Sequence, residues 1–506
     1  MIRGLKVVSA KEMAAIEKKA FSQGVSEEAL MLSAGMHIAK HVLHYIRAHH
    51  TSKNIILLIG KGNNGADGYV AGQDLLKKGC RVLSYQVCSY EEASVLNQKH
   101  CEKFKKAGGI VHFISDSKEV LFEKDAVIID GLLGTGFQHP VTGLIAQVIE
   151  KANQTKLPII AIDIPSGLDG NTGKADDKYT VRAAITICFS LPKLGFFLAD
   201  GWNYVGKPIF VDIGLPSQYI DSVKAEYIIP DENELAALVP NVKRTRHKYE
   251  AGFLVGIAGS KGLAGAAKLS ALAALRSGAG MMKLVSFAHS DEMTNLPYEV
   301  IHQDLDEQHC DEILQLCKKA SALFIGPGIG REEKTFEILK QVLKVLDKPT
   351  VFDADALFFF AEELSLIPKN TILTPHKKEM LRLLGIEKAL DDTTYFNSCK
   401  EFARKHQIIL VAKGAPTFIF TPEGEGYIMI HGDPGMATAG AGDVLTGIIG
   451  ALLSQGVTSQ SAALLGVYLQ GIAGEKAALE KTSYSMIASD IIKCLPQAFK
   501  SICSSK

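Results

Sequence analysis

The sequence is short of several things, and each shortage excludes a class of protein. Net charge is missing: 55 Lys and Arg balance 55 Asp and Glu across 506 residues. A chain with no global positive field is neither a general nucleic-acid binder nor a polybasic membrane-surface protein. Aromatic residues make up only 7%, with a single Trp, unlike an aromatic-rich binding surface. Long apolar runs are absent too. The most tempting, 444–453, falls short of the roughly 18 residues a membrane span needs and lies beside Asp443. The opening Met1-Ile2-Arg3-Gly4-Leu5-Lys6 lacks the apolar stretch of a signal peptide. The nine cysteines are odd in number and never form a C-x-x-C pair, which argues against a disulfide framework or a Cys-based zinc site. These shortages predict a soluble, cytoplasmic protein with no nucleic-acid or membrane partner.

What is present is a hydrophobic fraction of 47% and 46 glycines, the mark of a large core with many tight turns. The length suits two or three domains. Short apolar runs at 54–59, 81–87, 110–114, 126–130, 158–162 and 184–189 are spaced by helix-length intervals, with a helix-like stretch over 69–78. A second series starts at 252–259, a strand entering a Gly-rich turn, and continues through 282–285, 322–325, 350–352, 371–373, 408–412 and 417–420. Alternating strands and helices predict α/β domains with mostly parallel sheets covered on both faces. The stretch 222–248 reads as a polar linker, with a solvated basic run at Lys243-Arg244-Thr245-Arg246. Neither half copies the other, so the expected organisation is a fusion of domains 1–222 and 223–506.

The first series opens on Gly60-Lys61-Gly62-Asn63-Asn64-Gly65-Ala66-Asp67-Gly68. Its start matches G-x-G-x-x-G, a weak signal by itself. The two asparagines and the Asp change its meaning, since backbone N–H groups at a helix start suit an anion and side-chain oxygens suit a cation. Two later strands end in Asp130-Gly131-Leu132-Leu133-Gly134-Thr135-Gly136-Phe137 and in Asp163-Ile164-Pro165-Ser166-Gly167-Leu168-Asp169. In a parallel sheet such ends line one crevice, so Asn64, Asp130, Asp163 and Ser166 are predicted to converge. Hard oxygen ligands of low total charge fit an alkali or alkaline-earth ion better than zinc.

Together with Phe189-Ser190-Leu191-Pro192-Lys193, these motifs resemble the NAD(P)H-hydrate epimerase domain over about residues 1–220. The resemblance implies a Rossmann-like three-layer αβα domain with K⁺ held by Asn64, Asp130 and Ser166. It implies hydrated NAD(P)H against Asn63, Asn64, Gly65, Ala66, Asp67, Gly134, Thr135, Gly136, Phe137, Gln138, His139, Pro140 and Asp163. Asp163 and Lys193 become the acid–base candidates. Ala66 stands where the family usually has Gly, a methyl expected to crowd a left-handed backbone or the ligand.

In the second half, Gly259-Ser260-Lys261-Gly262-Leu263-Ala264-Gly265 opens an Ala-rich helix and is not a Walker A loop. Gly435-Met436-Ala437-Thr438-Ala439-Gly440-Ala441-Gly442-Asp443 is sharper. Gly-x-Gly-Asp at a helix N-terminus sets N–H donors beside a carboxylate, suited to hold charge on a transferring phosphoryl group and to accept the proton of the attacking hydroxyl. With Gly326–Gly330, Asp353–Leu357, Thr374–Met380 and Lys413–Thr417, it resembles the ADP/ATP-dependent NAD(P)H-hydrate dehydratase domain, over about 235–500. The resemblance implies a ribokinase-like αβα domain and phosphorylation of the hydrate before phosphate elimination. Ala264, Gly328, His376 and Asp443 would contact the hydrated cofactor, with Asp443 as the base. Lys413, Gly414, Ala415, Pro416, Thr417 and Gly442 would contact the nucleotide, ADP or ATP with Mg²⁺. A homo-oligomer is expected of this superfold.

Plainer readings stand beside these. His37, His41 and His44 share a helical face and read as ordinary helix surface. Asp353 and Asp355 also suit strand-end turns. The rival function is a small-alcohol or vitamin kinase fused to a non-catalytic Rossmann-like binding or scaffold module. Asp130, Asp163 and Lys193 occurring together speak against it.

Overall fold

Unbroken Ile and Leu in the run Asn54–Ile59 (β1) leave no polar face, so the strand is buried on both sides. Around it in the computed structural model lie β2 (Arg81–Gln86), β3 (Ile110–Phe113), β4 (Val127–Gly131), β5 (Ile159–Ile162), β6 (Ile185–Phe189) and β7 (Lys207–Val211). The order is β3-β2-β1-β4-β5-β6-β7, parallel throughout. This is the doubly wound arrangement of Rossmann folds, with one more strand at its edge. The helices are α1 (Ala10–Ser22), α2 (Glu27–His49), α3 (Asn63–Lys77), α4 (Val95–Lys106), α5 (Gly143–Gln154) and α6 (Ser217–Asp221).

The structure describes residues 2–137, 139–287, 292–305 and 310–503. It separates into two compact units, Leu5–Glu226 and Tyr227–Lys506 with Met1–Gly4. The second unit begins within the predicted linker: Tyr227–Pro230 forms β8 and Glu232–Leu238 forms α7. Asp231 makes that helix possible, its side chain accepting from the Asn233 and Glu234 N–H groups at 2.8 and 3.4 Å. There follow β9 (Phe253–Ile257), α8 (Ala264–Arg276), β10 (Met281–Ser286), β11 (Val300–Asp304), α9 (Cys310–Lys319), β12 (Ala322–Ile325) and α10 (Glu333–Val345). Then come β13 (Thr350–Phe352), α11 (Asp355–Glu362), β14 (Ile372–Leu373), α12 (Lys377–Leu383), α13 (Asp392–His406), β15 (Ile409–Ala412), β16 (Thr417–Phe420) and β17 (Gly426–Met429). The chain ends in α14 (Ala441–Ser454), α15 (Ser459–Lys481) and α16 (Ala488–Cys503). The sheet runs β8-β17-β16-β15-β14-β13-β12-β9-β10-β11, parallel from β11 to β15 and antiparallel through β16 and β17.

The helix expected from residue 69 starts at Asn63 instead. Glycine lowers helix propensity, but the turn is held from outside: Asn97 Nδ2 donates to Gly60 O at 2.9 Å and to Gly62 O at 3.0 Å. The apolar run 444–453 lies within α14, every residue buried, packed on α8, α15, β12 and β13. A helix walled on all sides is apolar all round. Among the described residues, no helix is long and apolar enough to cross a membrane.

Candidate active sites

In the N-terminal unit, β1 feeds β2 on one side and β4 feeds β5 on the other, so a crevice opens beyond their C-terminal ends. A cavity of about 530 Å³ occupies it, walled by Asn63, Asn64 and Asp67 after β1, Gly134–Phe137 after β4, and Asp163 after β5. Glu17 of α1 and Glu27 of α2 complete the wall.

Beneath it, Asp130 is wholly buried at the end of β4. Its Oδ1 accepts from Ser166 Oγ at 2.6 Å and from the Leu132 N–H at 3.2 Å; its Oδ2 accepts from the Ser166 N–H at 2.8 Å. Ser166 Oγ also accepts from the Leu133 N–H at 2.8 Å, while Asn64 Nδ2 donates to Leu133 O at 2.9 Å. Asn64, Asp130 and Ser166 are thus linked through 132–133. Burial pushes the Asp130 carboxyl up to about 6, against the pull of the Ser166 and Leu132 donors. One under-compensated carboxylate with amide, hydroxyl and carbonyl oxygens is a donor set suited to a monovalent hard cation.

Asp163 sits in the left-handed backbone region at φ 60°, unusual for a residue with a side chain. Two contacts fix it: its N–H donates to Ile187 O at 2.8 Å, and its Oδ1 accepts from the Phe189 N–H at 3.0 Å. The same oxygen receives Lys193 Nζ at 2.5 Å. Lys193 is only 1% exposed, and its ammonium also reaches Phe189 O at 3.3 Å. Burial alone would lower its pKa, but Asp163, Cys188 and Glu17 more than offset that and drive it upward.

Other expected contacts lie elsewhere. Gly65 and Ala66 are buried within α3 and absent from the cavity wall. Ala66 packs with Met31 and Val70 in ordinary helical backbone, so its methyl crowds neither a left-handed turn nor the cavity. His139 and Pro140 also lie off the wall; the His139 ring meets Phe137 and its Nε2 contacts Lys174 O at 2.9 Å. Gln138 falls outside the described residues.

In the second unit the switch of strand order lies between β9 and β12; beyond their ends Ala264 heads α8 and Gly328 lies in the loop after β12. Asp353, after β13, is 1% exposed. It takes Lys413 Nζ on Oδ1 at 2.7 Å and Thr446 Oγ1 on Oδ2 at 2.8 Å. Burial would raise this carboxyl, but the Lys413 charge and the hydrogen bonds from Lys413, Thr446 and Thr374 hold it below the usual range. Asp355 instead ties two loops together, accepting from Arg331 Nε at 2.8 Å and the Gly330 N–H at 3.2 Å. Gly414–Pro416 forms the turn between β15 and β16, with Thr417 Oγ1 donating to Gly414 O at 3.0 Å.

His376 caps α12: its Nδ1 accepts from the Lys378 and Glu379 N–H groups at 3.1 and 3.3 Å. That use of Nδ1 fixes the neutral tautomer with Nε2 as donor, and burial and Lys413 keep its pKa low. Asp443 stands in the first turn of α14, after Gly440 at φ 91°, a backbone glycine adopts without strain. Ser270 Oγ of α8 donates to Asp443 O at 2.9 Å, and Gln470 Nε2 of α15 donates to Ala441 O at 2.6 Å. Among the described residues, nothing donates to the Asp443 carboxylate; burial and Asp353 push it up to about 7, with Lys413 pulling the other way.

A family model described as NAD(P)H-hydrate dehydratase matches residues 254–497, and one described as YjeF-related protein N-terminus matches 27–195. The bifunctional NAD(P)H-hydrate repair enzyme Nnr of Moorella thermoacetica is 32% identical, across 98% of this chain and 97% of that protein. The chain belongs to the bifunctional NAD(P)H-hydrate repair enzymes. The repair enzyme Nnr of Escherichia coli is 33% identical across 88% of this chain and 85% of its own length. A solved structure of ADP/ATP-dependent NAD(P)H-hydrate dehydratase from Bacillus subtilis, co-crystallised with ATP and Mg²⁺, covers 54% of this chain and 97% of its own at 27% identity and a TM-score of 0.47.

In this repair enzyme each family match falls within one structural unit. The sequence motifs assign no role to Glu17, Glu379 or Thr446, and Asp353 suits a turn as well as a site. A signal for Glu17 existed: Ala10, Met13 and Ala20 form the buried stripe of α1, and position 17 lies on it. Thr446 gave none, since its partner Asp353 is distant in sequence.

Proposed function

We propose that the two units act in succession on one damaged cofactor. The Leu5–Glu226 unit interconverts the R and S hydrates of NADH and NADPH, and the second unit dehydrates the S form while consuming ADP or ATP. Inverting the hydrated carbon requires the ring to open there and close on the other face, with protons exchanged at oxygen and nitrogen. Asn63, Asn64, Asp67 and Gly134–Phe137 hold the hydrate against the cavity wall, and Asp163 with Lys193 faces the reacting carbon. K⁺ would be held by Asn64, Asp130 and Ser166, where it supplies fixed positive charge.

In the second unit, Ala264, Gly328 and His376 face the hydrate, while Lys413–Thr417 and Gly442 face the nucleotide. Asp443 accepts the proton of the hydrate hydroxyl as the hydroxyl oxygen bonds to the terminal phosphorus and the bond from that phosphorus to its bridging oxygen breaks, releasing AMP from ADP or ADP from ATP. Lys413 and the N–H groups at the head of α14 receive the developing negative charge. Phosphate then leaves with the electron pair of its C–O bond and takes a proton from the adjoining ring carbon, whose C–H pair forms the C=C bond, so that NAD(P)H is restored. Mg²⁺ would ride on the nucleotide phosphates and spread their charge; no three His, Cys, Asp or Glu side chains gather into a metal cage among the described residues. Glu379, whose carboxylate lies 3.9 Å from Lys413 Nζ, would share it.

The observation that carries this reading is Asp443, a carboxylate at a helix head in the field of Lys413 that takes no hydrogen bond among the described residues. The test is recovery of reduced-nicotinamide absorbance from mixed hydrates, with ADP, ATP or neither. Full recovery with a nucleotide is expected; recovery of the S form alone removes the epimerase assignment, and none at all removes the dehydratase.

A further inference from the structure

We infer that Glu17 is the proton carrier of the N-terminal site, an acid–base residue in contact with the hydrated ring; this rests on the epimerase reading above. The helix that bears it is anchored at the pair already described. Val8, just before α1, bonds on either side of Lys193: its N–H donates to Pro192 O at 3.0 Å, and its carbonyl accepts from the Leu194 N–H at 2.7 Å. The helix therefore starts beside Lys193 and runs along the cavity with Ala10, Met13 and Ala20 turned inward. Glu17 shares that stripe and lines the cavity together with Asp163. A carboxylate on an otherwise apolar, buried stripe is costly, and among the described residues nothing donates a hydrogen bond to it.

The Asp163–Lys193 pair needs a third group. Lys193 is buried, driven upward in pKa and bound to Asp163, so it holds its proton at neutral pH. Asp163 takes that ammonium and the Phe189 N–H on one oxygen, Oδ1. The pair supplies orientation and fixed charge. Glu17 is pushed up to about 7 by burial and then by Asp163, with Lys193 opposing and Glu27 adding. Lys61 and Asp67 also face the cavity, and Asp67 is driven well above the usual range by burial, Asp163, Glu17 and Glu27.

One carboxylate suffices, because the hydroxyl and the ring nitrogen sit on the same carbon. The Glu17 carboxylate takes the hydroxyl proton as the C=O bond forms. The C–N bond breaks, its electron pair goes to nitrogen, and nitrogen receives the proton through Glu17. Rotation about the adjoining C–C bond turns the aldehyde, and the reverse sequence closes the ring with the opposite configuration. No co-reactant is consumed.

The test uses the full-length chain without nucleotide, following R–S interconversion by separation of the epimers from pH 5 to 9. Glu17→Gln is expected to lower kcat by about 10²-fold, leave KM within about threefold of wild type, and abolish the near-neutral inflection. Glu17→Asp should restore a measurable part of the rate and the inflection. A Glu17→Gln variant within about threefold of the wild-type kcat overturns the inference. So does loss of hydrate binding in both variants, which would make Glu17 structural. If the wild-type chain does not interconvert the epimers at all, the epimerase reading falls and the role of Glu17 with it.

Discussion

Asp443 and Asp353 are carboxylates in contact with the same lysine's field, yet they are pushed in opposite directions. Asp443 ionises near 7 when folded and near 3.8 when free. Between those values the folded chain holds a proton that the unfolded chain releases, so the cost to stability grows as pH rises from about 4 to about 7. Asp443→Asn should therefore leave stability unchanged near pH 4 and raise it above pH 7, while lowering dehydration by about 10²–10³-fold. Thermal melts at the two pH values and nucleotide-dependent recovery of NADH check both halves. In the wild type, dehydration should rise with pH through an inflection near 7. Asp353, held low by Lys413, behaves oppositely, its stabilisation present above the ordinary carboxylate pKa and lost on acidification. Lys413→Met strands it as a buried charge and should cost about 3–5 kcal/mol, read by denaturant unfolding.

At the scale of elements, α8 and α14 approach closely, and the approach positions Asp443. A methyl on Gly447 would lie 2.1 Å from Ser270 O and 2.9 Å from the Ala273 side chain, both on α8. Backbone cannot yield as a side-chain tip would. Gly447→Ala should therefore destabilise the fold by about 1–3 kcal/mol. It should also weaken dehydration, because the Ser270 hydroxyl that fixes the Asp443 carbonyl rides on the displaced helix. A melting shift with unchanged turnover at a temperature where the variant stays folded would separate packing from that link. The helix start at Asn63 has the same logic: Asn97, from α4, holds the turn that directs Asn63 and Asn64 to the cavity.

At the scale of the whole molecule, each site is assembled from the side chains of one unit. The two activities should therefore separate by single substitutions. Asp163→Asn is expected to leave R hydrate unconverted while S hydrate is still restored to NADH at the wild-type rate. Asp443→Asn should still equilibrate R and S but return NADH about 10²–10³-fold more slowly. Chiral separation of residual hydrate, with absorbance recovery in the same sample, distinguishes them. Loss of both activities in either variant would contradict separate sites.

The sequence by itself determined the elements that depend on local pattern. Apolar runs ended by glycine or Asp became the buried strands, and Asp130, Asp163, Lys413 and Asp443 stood out because strand ends and helix heads can be read from neighbouring residues. Strand β11, Val300–Asp304, was missed because its sequence lacks an unbroken apolar run, and the pairing that makes it a strand comes from a distant segment. Only tertiary structure decided which carboxylates act as free acids and which are bound as ions. Protonation depends on burial and on charges brought within a few ångströms, and no local pattern places Lys413 on Asp353, Lys193 on Asp163, or Glu17 in the same cavity wall as Asp163.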